Sequence, residues 1–451
     1  MALRTFAAVD IGASGGRVMA GRIDNRELHL DTIHRFSNGV IESEGHLRWD
    51  LTRIRREMAT GLSLVPDAES IGIDTWAVDY GLLDASGELI DQPISYRDSR
   101  TTDFIQAVHS LISPEELYAI NGLQFLPFNT IFQLASEQES SIWHRADRLA
   151  LLPDLLSYWL TGELRTEMTN ASTTGLLNVR THEWSPTILD LLHIPESLLP
   201  SIEPPGTIRG KTAAGVFVTS VASHDTASAV VAIPATTSHF AYVIVGTWSL
   251  VGIEIASPVL TESARVANFT NELGVDNRVR FLRNVGGLWL LQECLREWPA
   301  CNYDELLAKA SELPVGGPTV EVRDPDFIAP GGMAARVKEA AGQSDMTPDE
   351  ITRCIIDSLA LAFADTIRQA VGLCGASVEV VHMVAGGSQN VLLCQQTANA
   401  VGIPVIAGPV EATALGNVLI QARSHGAAPS SLEDLREIVA SSTELRRFEP
   451  Q

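Results

Sequence analysis

Four short segments set polar or charged side chains beside glycines at the ends of apolar runs. The first, Asp10-Ile11-Gly12-Ala13-Ser14-Gly15-Gly16-Arg17, closes the run TFAAVDI. Small residues there let backbone N–H groups approach phosphate oxygens, while the carboxylate could hold a metal ion, usually through water. A plain hairpin with a surface aspartate would read the same way, because short glycine motifs are weak signals. The second, Ser223-His224-Asp225-Thr226, lies between GVFVTSVA and ASAVVA. A carboxylate at such a strand–helix junction could take the proton of a hydroxyl group as that hydroxyl attacks phosphorus. Asp225 could equally be a helix N-cap and nothing more. A serine–histidine–aspartate nucleophile finds no support, since no GxSxG elbow surrounds Ser223. The third segment, Gly246-Thr247-Trp248-Ser249, offers a glycine and hydroxyls to phosphate oxygens, or is a structural turn. The fourth, Ala385-Gly386-Gly387-Ser388-Gln389-Asn390, follows VEVVHMV and precedes a helix-like run, whose N-terminus favours phosphate. None of these is a GxxxxGK[ST] or GxGxxG motif.

Positioning such groups needs strands that end together. TFAAVDI, the turn ASGG and RVMAGRI predict a β-hairpin. Far downstream, FAYVIV, a glycine turn and LVGIEIA repeat it. Aligning Phe6 with Phe240 also pairs Val9 with Val243 and Gly12 with Gly246. Similarity at so long a period predicts two domains of related architecture. Two such domains facing each other would form a cleft, a common location for ligands, and Pro234–His239 reads as the linker. Residues 71–83, IGIDTWAVDYGLL, read as one alternating strand with Asp79 near its end. Ile351, Ile355, Leu359, Phe363, Ile367 and Val371 fall on one helix face. Apolar strands alternating with helices indicate α/β domains. Asp79, Arg97, Asp98, Asn129 and Asn284 are further candidates for contacts to a polyhydroxy ligand, each also explicable as a structural residue. Trp76 and Phe128 read as core or cleft wall.

The bulk properties narrow the function classes. At 451 residues the chain exceeds what one core normally organises. Its net charge of −23 argues against nucleic-acid and anionic-membrane partners. A phosphate-bearing ligand would have to overcome that field through backbone N–H clusters, arginines and a divalent cation. The five cysteines show no CxxC spacing, which suggests a reducing compartment with neither a zinc site nor a disulfide framework. MALRTFAAVDIGA shows no export signal, and the most apolar stretch, 240–256, is broken by Gly246, Gly252 and Glu254, so no membrane span is expected. A cytoplasmic location is the expectation. Residues 424–451 carry no readable chemistry and read as a terminal helix.

Taken together, VDIGASGGRV, SIGIDTWAVD, YRDSRT, GLQFLPFNT, LLPDLLSYWLTG, TNASTTG, ASHDTASAV, GTWSLVG, GLWLLQ, RCIIDSLAL, GGSQN and AGPVEATALGN resemble the FGGY carbohydrate kinases nearly end to end. GIDTWxVD, QFLPFNT, GLWLLQ and AGPVEA-x-x-LGN look specific to the rhamnulokinases among them. The resemblance implies two actin-like (ribonuclease H-like) α/β domains, 1–234 for sugar and catalytic base and 240–425 for nucleotide, with a 426–451 tail. They would close over a ketose and MgATP. It implies phosphorylation of L-rhamnulose at O1, or of another ketose or polyol such as L-fuculose, ribulose, xylulose or glycerol. An actin- or chaperone-like ATPase fits less well, because no peptide-binding domain follows. Carried over by position, Asp225 is the general base, and His224 and Thr226 border the sugar with Ala77 and Asn284. Asp79 occupies the place of an acidic sugar ligand. Ala13, Ser14, Gly15, Gly16, Arg17, Thr247, Gln292 and Gly386 bind ATP, and Asp10 positions the magnesium shell. Ala77 replaces a usual glycine, Ala385 the first residue of a GGG turn, and Asn170 a frequent aspartate. The first of these bears on sugar choice.

Overall fold

The computed structural model describes residues 4–24 and 27–451. The first three residues, with which the expected N-terminal domain begins, lie outside that range. The chain forms two compact units. The first takes the chain up to Ala232, together with Ile255–Phe281 and Ala412–Ser442. The second comprises Ile233–Glu254, Leu282–Glu411 and Thr443–Gln451.

In the first unit, strands β1 (Arg4–Ile11), β2 (Gly15–Asp24), β3 (Glu27–Ser37), β4 (Ser70–Thr75), β5 (Ile208–Lys211) and β6 (Phe217–Thr219) form one sheet in the order β5-β6-β4-β1-β2-β3. Phe6–Ile11 are all buried, as a strand covered on both faces must be, and hence the unbroken apolar run. β1 pairs antiparallel with β2 and parallel with β4, and the latter register sets Asp10 beside Asp74. Helix Ala412–Ser424 packs on β1 and on the short helix Asp225–Val231.

The second unit repeats the plan. β7 (Phe240–Val245) pairs antiparallel with β8 (Trp248–Ile255), and parallel with β10 (Val380–Val384) rather than with β9 (Val279–Gly286). β10 continues to β11 (Val405–Ala407), which pairs with β12 (Arg446–Phe448). Each hairpin turn closes on its glycine: Gly12 N donates to Gly15 O at 2.8 Å, and Gly246 N to Trp248 O at 2.9 Å. The internal similarity is therefore a shared strand order. The expected helix spans Pro348–Cys374, opened by a Thr347–Glu350 capping box with Pro348 in its first turn and ended at left-handed Gly375.

Two expectations need correction. The 71–83 segment is not one strand: it breaks between Thr75 and Tyr80, where Val78 has φ 68°. All six residues of β4 are buried, so its alternation does not mark an exposed face. The C-terminal segment is not only a helix. Leu432–Ser442 is helical, and Arg446–Phe448 then adds an edge strand to the second sheet.

Candidate active site

Asp225 opens the helix Asp225–Val231, and His224, not Asp225, is its N-cap residue. The preceding loop is tied down by Glu167, a buried carboxylate that accepts hydrogen bonds from Ser223 N (3.0 Å), Ser223 Oγ (2.9 Å) and Thr169 N (2.8 Å). Thr75 N donates to Ser223 O at 2.9 Å, and a bridge joins Thr75 to His224. The helix that carries Asp225 thus begins against the end of β4. The Asp225 side chain is 26% exposed, and its Oδ1 accepts the Thr226 N–H at 2.6 Å. Burial raises its carboxyl above the ordinary aspartate range, opposed by the Thr226 N–H and the Arg280 charge. A partly exposed carboxylate with a raised pKa is the kind of group that accepts a proton from an alcohol.

Asp10 and Asp74 lie on neighbouring strands of the same unit. Arg17 Nε donates to Asp10 at 3.1 Å across the hairpin. Asp74 is fully buried: Asn417 donates to its Oδ2 at 2.5 Å, and its Oδ1 has no hydrogen-bond partner. Burial pushes the Asp74 carboxyl well above its usual range, and the charges of Asp10 and Asp225 push the same way. The three carboxylates therefore share one electrostatic neighbourhood. The turn 12–14 is braced by Asn38, whose Nδ2 donates to Gly12 O at 2.9 Å and whose N donates to Ser14 O at 3.1 Å. Among the described residues, no group of three or more His, Cys, Asp or Glu could hold a metal ion by itself. Asp10 with its neighbour Asp74 suits only a cation that brings its own water and phosphate ligands, as magnesium does.

Ala77 follows β4 at the break. Asp79 N donates to Ala77 O at 2.9 Å, a γ-turn about Val78, a β-branched residue at positive φ. Thr130 Oγ1 holds the Val78 carbonyl at 2.7 Å. The Asp79 carboxylate is buried and accepts from Trp49 Nε1 (2.6 Å), Trp76 Nε1 (2.9 Å), Tyr96 N (3.1 Å) and Gln133 Nε2 (3.1 Å). It anchors an aromatic wall in which Trp49 and Trp76 lie 4.2 Å apart and Tyr96 and Phe128 5.3 Å apart. Asn129 and Asp98 likewise hold backbone, accepting from Leu126 N at 3.0 Å and Leu47 N at 2.8 Å.

In the second unit three turns meet at one end of the sheet. Leu288 N donates to Gly246 O (3.0 Å) and Trp289 N to Thr247 O (3.2 Å), so the helix Trp289–Glu297, which carries Gln292, starts against the hairpin turn. A Cβ on Gly287 would stand 2.3 Å from Thr247 O. A Cβ on Gly387 would stand 2.2 Å from a Val245 methyl, so the Gly386–Gln389 turn packs on the same strand end. Glycine-lined turns ending on a helix N-terminus suit phosphate groups.

Models of the FGGY family of carbohydrate kinases match residues 6–231 with the N-terminal domain and 241–425 with the C-terminal domain. The chain belongs to the FGGY family of carbohydrate kinases. A rhamnulokinase of Enterococcus faecalis (strain ATCC 700802 / V583) is 41% identical over 461 residues, covering 98% of this chain and 92% of that protein. Among solved structures, a ligand-bound xylulose kinase from Lactobacillus acidophilus has TM-score 0.81 at 17% identity, covering 99% of this chain and 94% of its own. A Plasmodium falciparum glycerol kinase with ADP has TM-score 0.79 at 15% identity, covering 100% and 94%. The kinase therefore has the two-domain mixed α/β fold of this family, as its sequence led us to expect.

Of the predicted residues, the first unit of the kinase holds Asp10, Ala13–Arg17, Ala77, Asp79, His224, Asp225 and Thr226. Thr247, Asn284, Gln292 and Gly386 belong to the second. Sequence reasoning did not single out Asp74, Glu272 or Arg280. Asp74 had a readable signal, a charged residue inside an otherwise apolar strand. Glu272 and Arg280 meet His224 only through tertiary contact.

Proposed function

We propose that this kinase transfers the γ-phosphoryl group of ATP to O1 of L-rhamnulose, giving L-rhamnulose 1-phosphate and ADP. Near full-length identity with a rhamnulokinase supports the substrate. The observation that carries the chemistry is the partly exposed Asp225 carboxylate at the start of its helix, raised in pKa by burial. Asp225 accepts the O1–H proton, O1 attacks the γ-phosphorus in line, and ADP leaves. His224, Thr226, Ala77 and Asn284 bind the ketose, and Asp79 acts by holding the γ-turn that presents Ala77. Ala13, Ser14, Gly15, Gly16, Arg17, Thr247, Gln292 and Gly386 bind ATP. Asp10 would hold magnesium through water, and the ion, when bound, offsets charge on the β- and γ-phosphates. In this reading the N-terminal portion to residue 234 supplies sugar site and base, and 240–425 the nucleotide site. No helix among the described residues is long and apolar enough to cross a membrane, and with the acidic charge this supports a cytoplasmic enzyme.

A coupled ADP-release assay over L-rhamnulose, L-fuculose, ribulose, xylulose and glycerol, with and without magnesium, tests the reading. The highest kcat/KM is expected for L-rhamnulose with magnesium present. A higher value for another sugar overturns the substrate, and undiminished turnover without a divalent cation overturns the role given to Asp10.

A further inference from the structure

The segment Ile255–Phe281, though it follows β7 and β8, returns to the first unit. It brings Glu272, on the short strand Thr270–Leu273, and Arg280, on β9, against His224. Phe269 and Phe281, both fully buried and stacked at 4.7 Å, fix this hairpin.

The Arg280 side chain has no solvent exposure. Its guanidinium uses every nitrogen. Nε donates to Leu273 O at 3.2 Å, Nη1 to Thr226 Oγ1 at 3.1 Å, and Nη2 to His224 Nδ1 at 3.2 Å. Glu272 Oε2 balances the charge at 2.9 Å from Nη2. A guanidinium can only donate, so these contacts fix the polarity of whatever they touch. Glu272 Oε2 also lies 3.3 Å from His224 Nδ1 but accepts no hydrogen bond there, whereas Arg280 Nη2 bonds that nitrogen. Nδ1 is therefore the acceptor, which makes the imidazole neutral and puts its proton on Nε2. Nε2–H then faces Thr226 Oγ1 at 3.0 Å and stands 3.6 Å from Asp225 Oδ1. Thr226 Oγ1 accepts from both Arg280 and His224, which leaves its own O–H to donate elsewhere. Asp225 and Thr226 are the half-buried residues at the start of a helix that is otherwise buried. One is an acceptor and the other, by this chain of bonds, a donor.

We propose that Arg280, neutralised by Glu272, is a positioning residue that fixes the His224 tautomer and turns the Thr226 hydroxyl into a donor toward a second oxygen of the ketose whose O1–H is accepted by Asp225. The inference rests on Asp225 as the base. Arg280 touches no substrate. It acts through His224 and Thr226, and lysine cannot replace it, because one ammonium cannot reach both partners in the fork geometry.

The test combines Arg280→Lys, Thr226→Val and the double variant, each checked for native circular dichroism. Thr226→Val removes the hydrogen bond to the ketose and leaves Arg280 Nη1 and His224 Nε2 without their acceptor. It is expected to lower kcat/KM for the ketose about tenfold or more, leaving the ATP KM unchanged. Arg280→Lys is expected to do the same, and the double variant to be no worse than either single one. Wild-type ketose kinetics in Arg280→Lys, or losses that multiply in the double variant, overturn the proposal. Should Arg280→Lys not fold, ¹⁵N-histidine NMR on the wild-type kinase, with the His224 signal identified by His224→Gln, decides. A protonated Nε2 and bare Nδ1 are expected, and a proton on Nδ1 overturns the proposal. Retained turnover in Asp225→Asn would instead sink the base assignment, an outcome separable from all of these.

Discussion

Asp79 sits where a direct sugar contact is expected, yet its carboxylate already accepts from Trp49, Trp76, Tyr96 and Gln133 at 2.6–3.1 Å and is 1% exposed. Asp79→Ala strands three donors, Trp49 Nε1, Trp76 Nε1 and Tyr96 N, where water has little access. A buried donor left unpaired costs about 1–3 kcal/mol, so the gross loss is about 3–9 kcal/mol. Relief of a carboxylate whose ionisation burial disfavours offsets part of that. A net loss of about 4 kcal/mol is expected, a large share of the ~5–15 kcal/mol that holds a domain folded. Asp79→Asn keeps the shape and one carbonyl oxygen for the indoles. It loses only the acceptor facing Gln133, whose Nε2 still reaches Phe128 O at 2.9 Å, so about 1–2 kcal/mol is expected. Urea unfolding followed by tryptophan fluorescence reads both, since Trp49 and Trp76 border the carboxylate, and the ketose KM of the folded Asn variant completes the test. Its KM should stay within a few-fold of wild type. Undiminished stability with a ketose KM raised a hundredfold or more would refute the reasoning and make Asp79 a direct ligand.

Gly287→Ala would place a methyl group 2.3 Å from Thr247 O and 2.7 Å from Trp248 C, both backbone atoms, so the turn must shift by about 1 Å. The ATP KM should rise tenfold or more with the ketose KM little changed, and an unchanged ATP KM contradicts the nucleotide assignment. Because the Asp225 carboxyl is raised above 3.8 and must be ionised to act, kcat/KM should fall as pH drops through a midpoint above that value; a profile flat to pH 4 contradicts it. The same shift makes the native state hold the proton more tightly than the unfolded chain. The stability it contributes is present below 3.8 and lost as pH rises through the native value, so Asp225→Asn should be at least as stable as wild type at pH 7 in denaturant titrations.

What the sequence displayed was what short-range patterns encode. The two glycine-turn hairpins, the 27-residue helix with its proline and terminal glycine, and the strand–helix junction at Asp225 all follow from neighbours in the chain. The break at Val78 escaped because a β-branched residue at positive φ carries no glycine or proline signal. It persists because Thr130 and Asp79 over-determine it. Arg280 escaped because nothing in RFLRNVGG distinguishes it from Arg283, which lies three residues on and bonds Thr366 instead. Only the return of Ile255–Phe281 to the first unit sets it beside His224.

The account stands most directly on Asp225→Asn. Single-turnover rates on L-rhamnulose with saturating ATP, and calorimetric titration of the ketose into the same variant, should show the chemical step slowed on the order of 10³-fold or more while binding stays near wild type. Turnover within a few-fold of wild type would contradict the assignment of this carboxylate as the base.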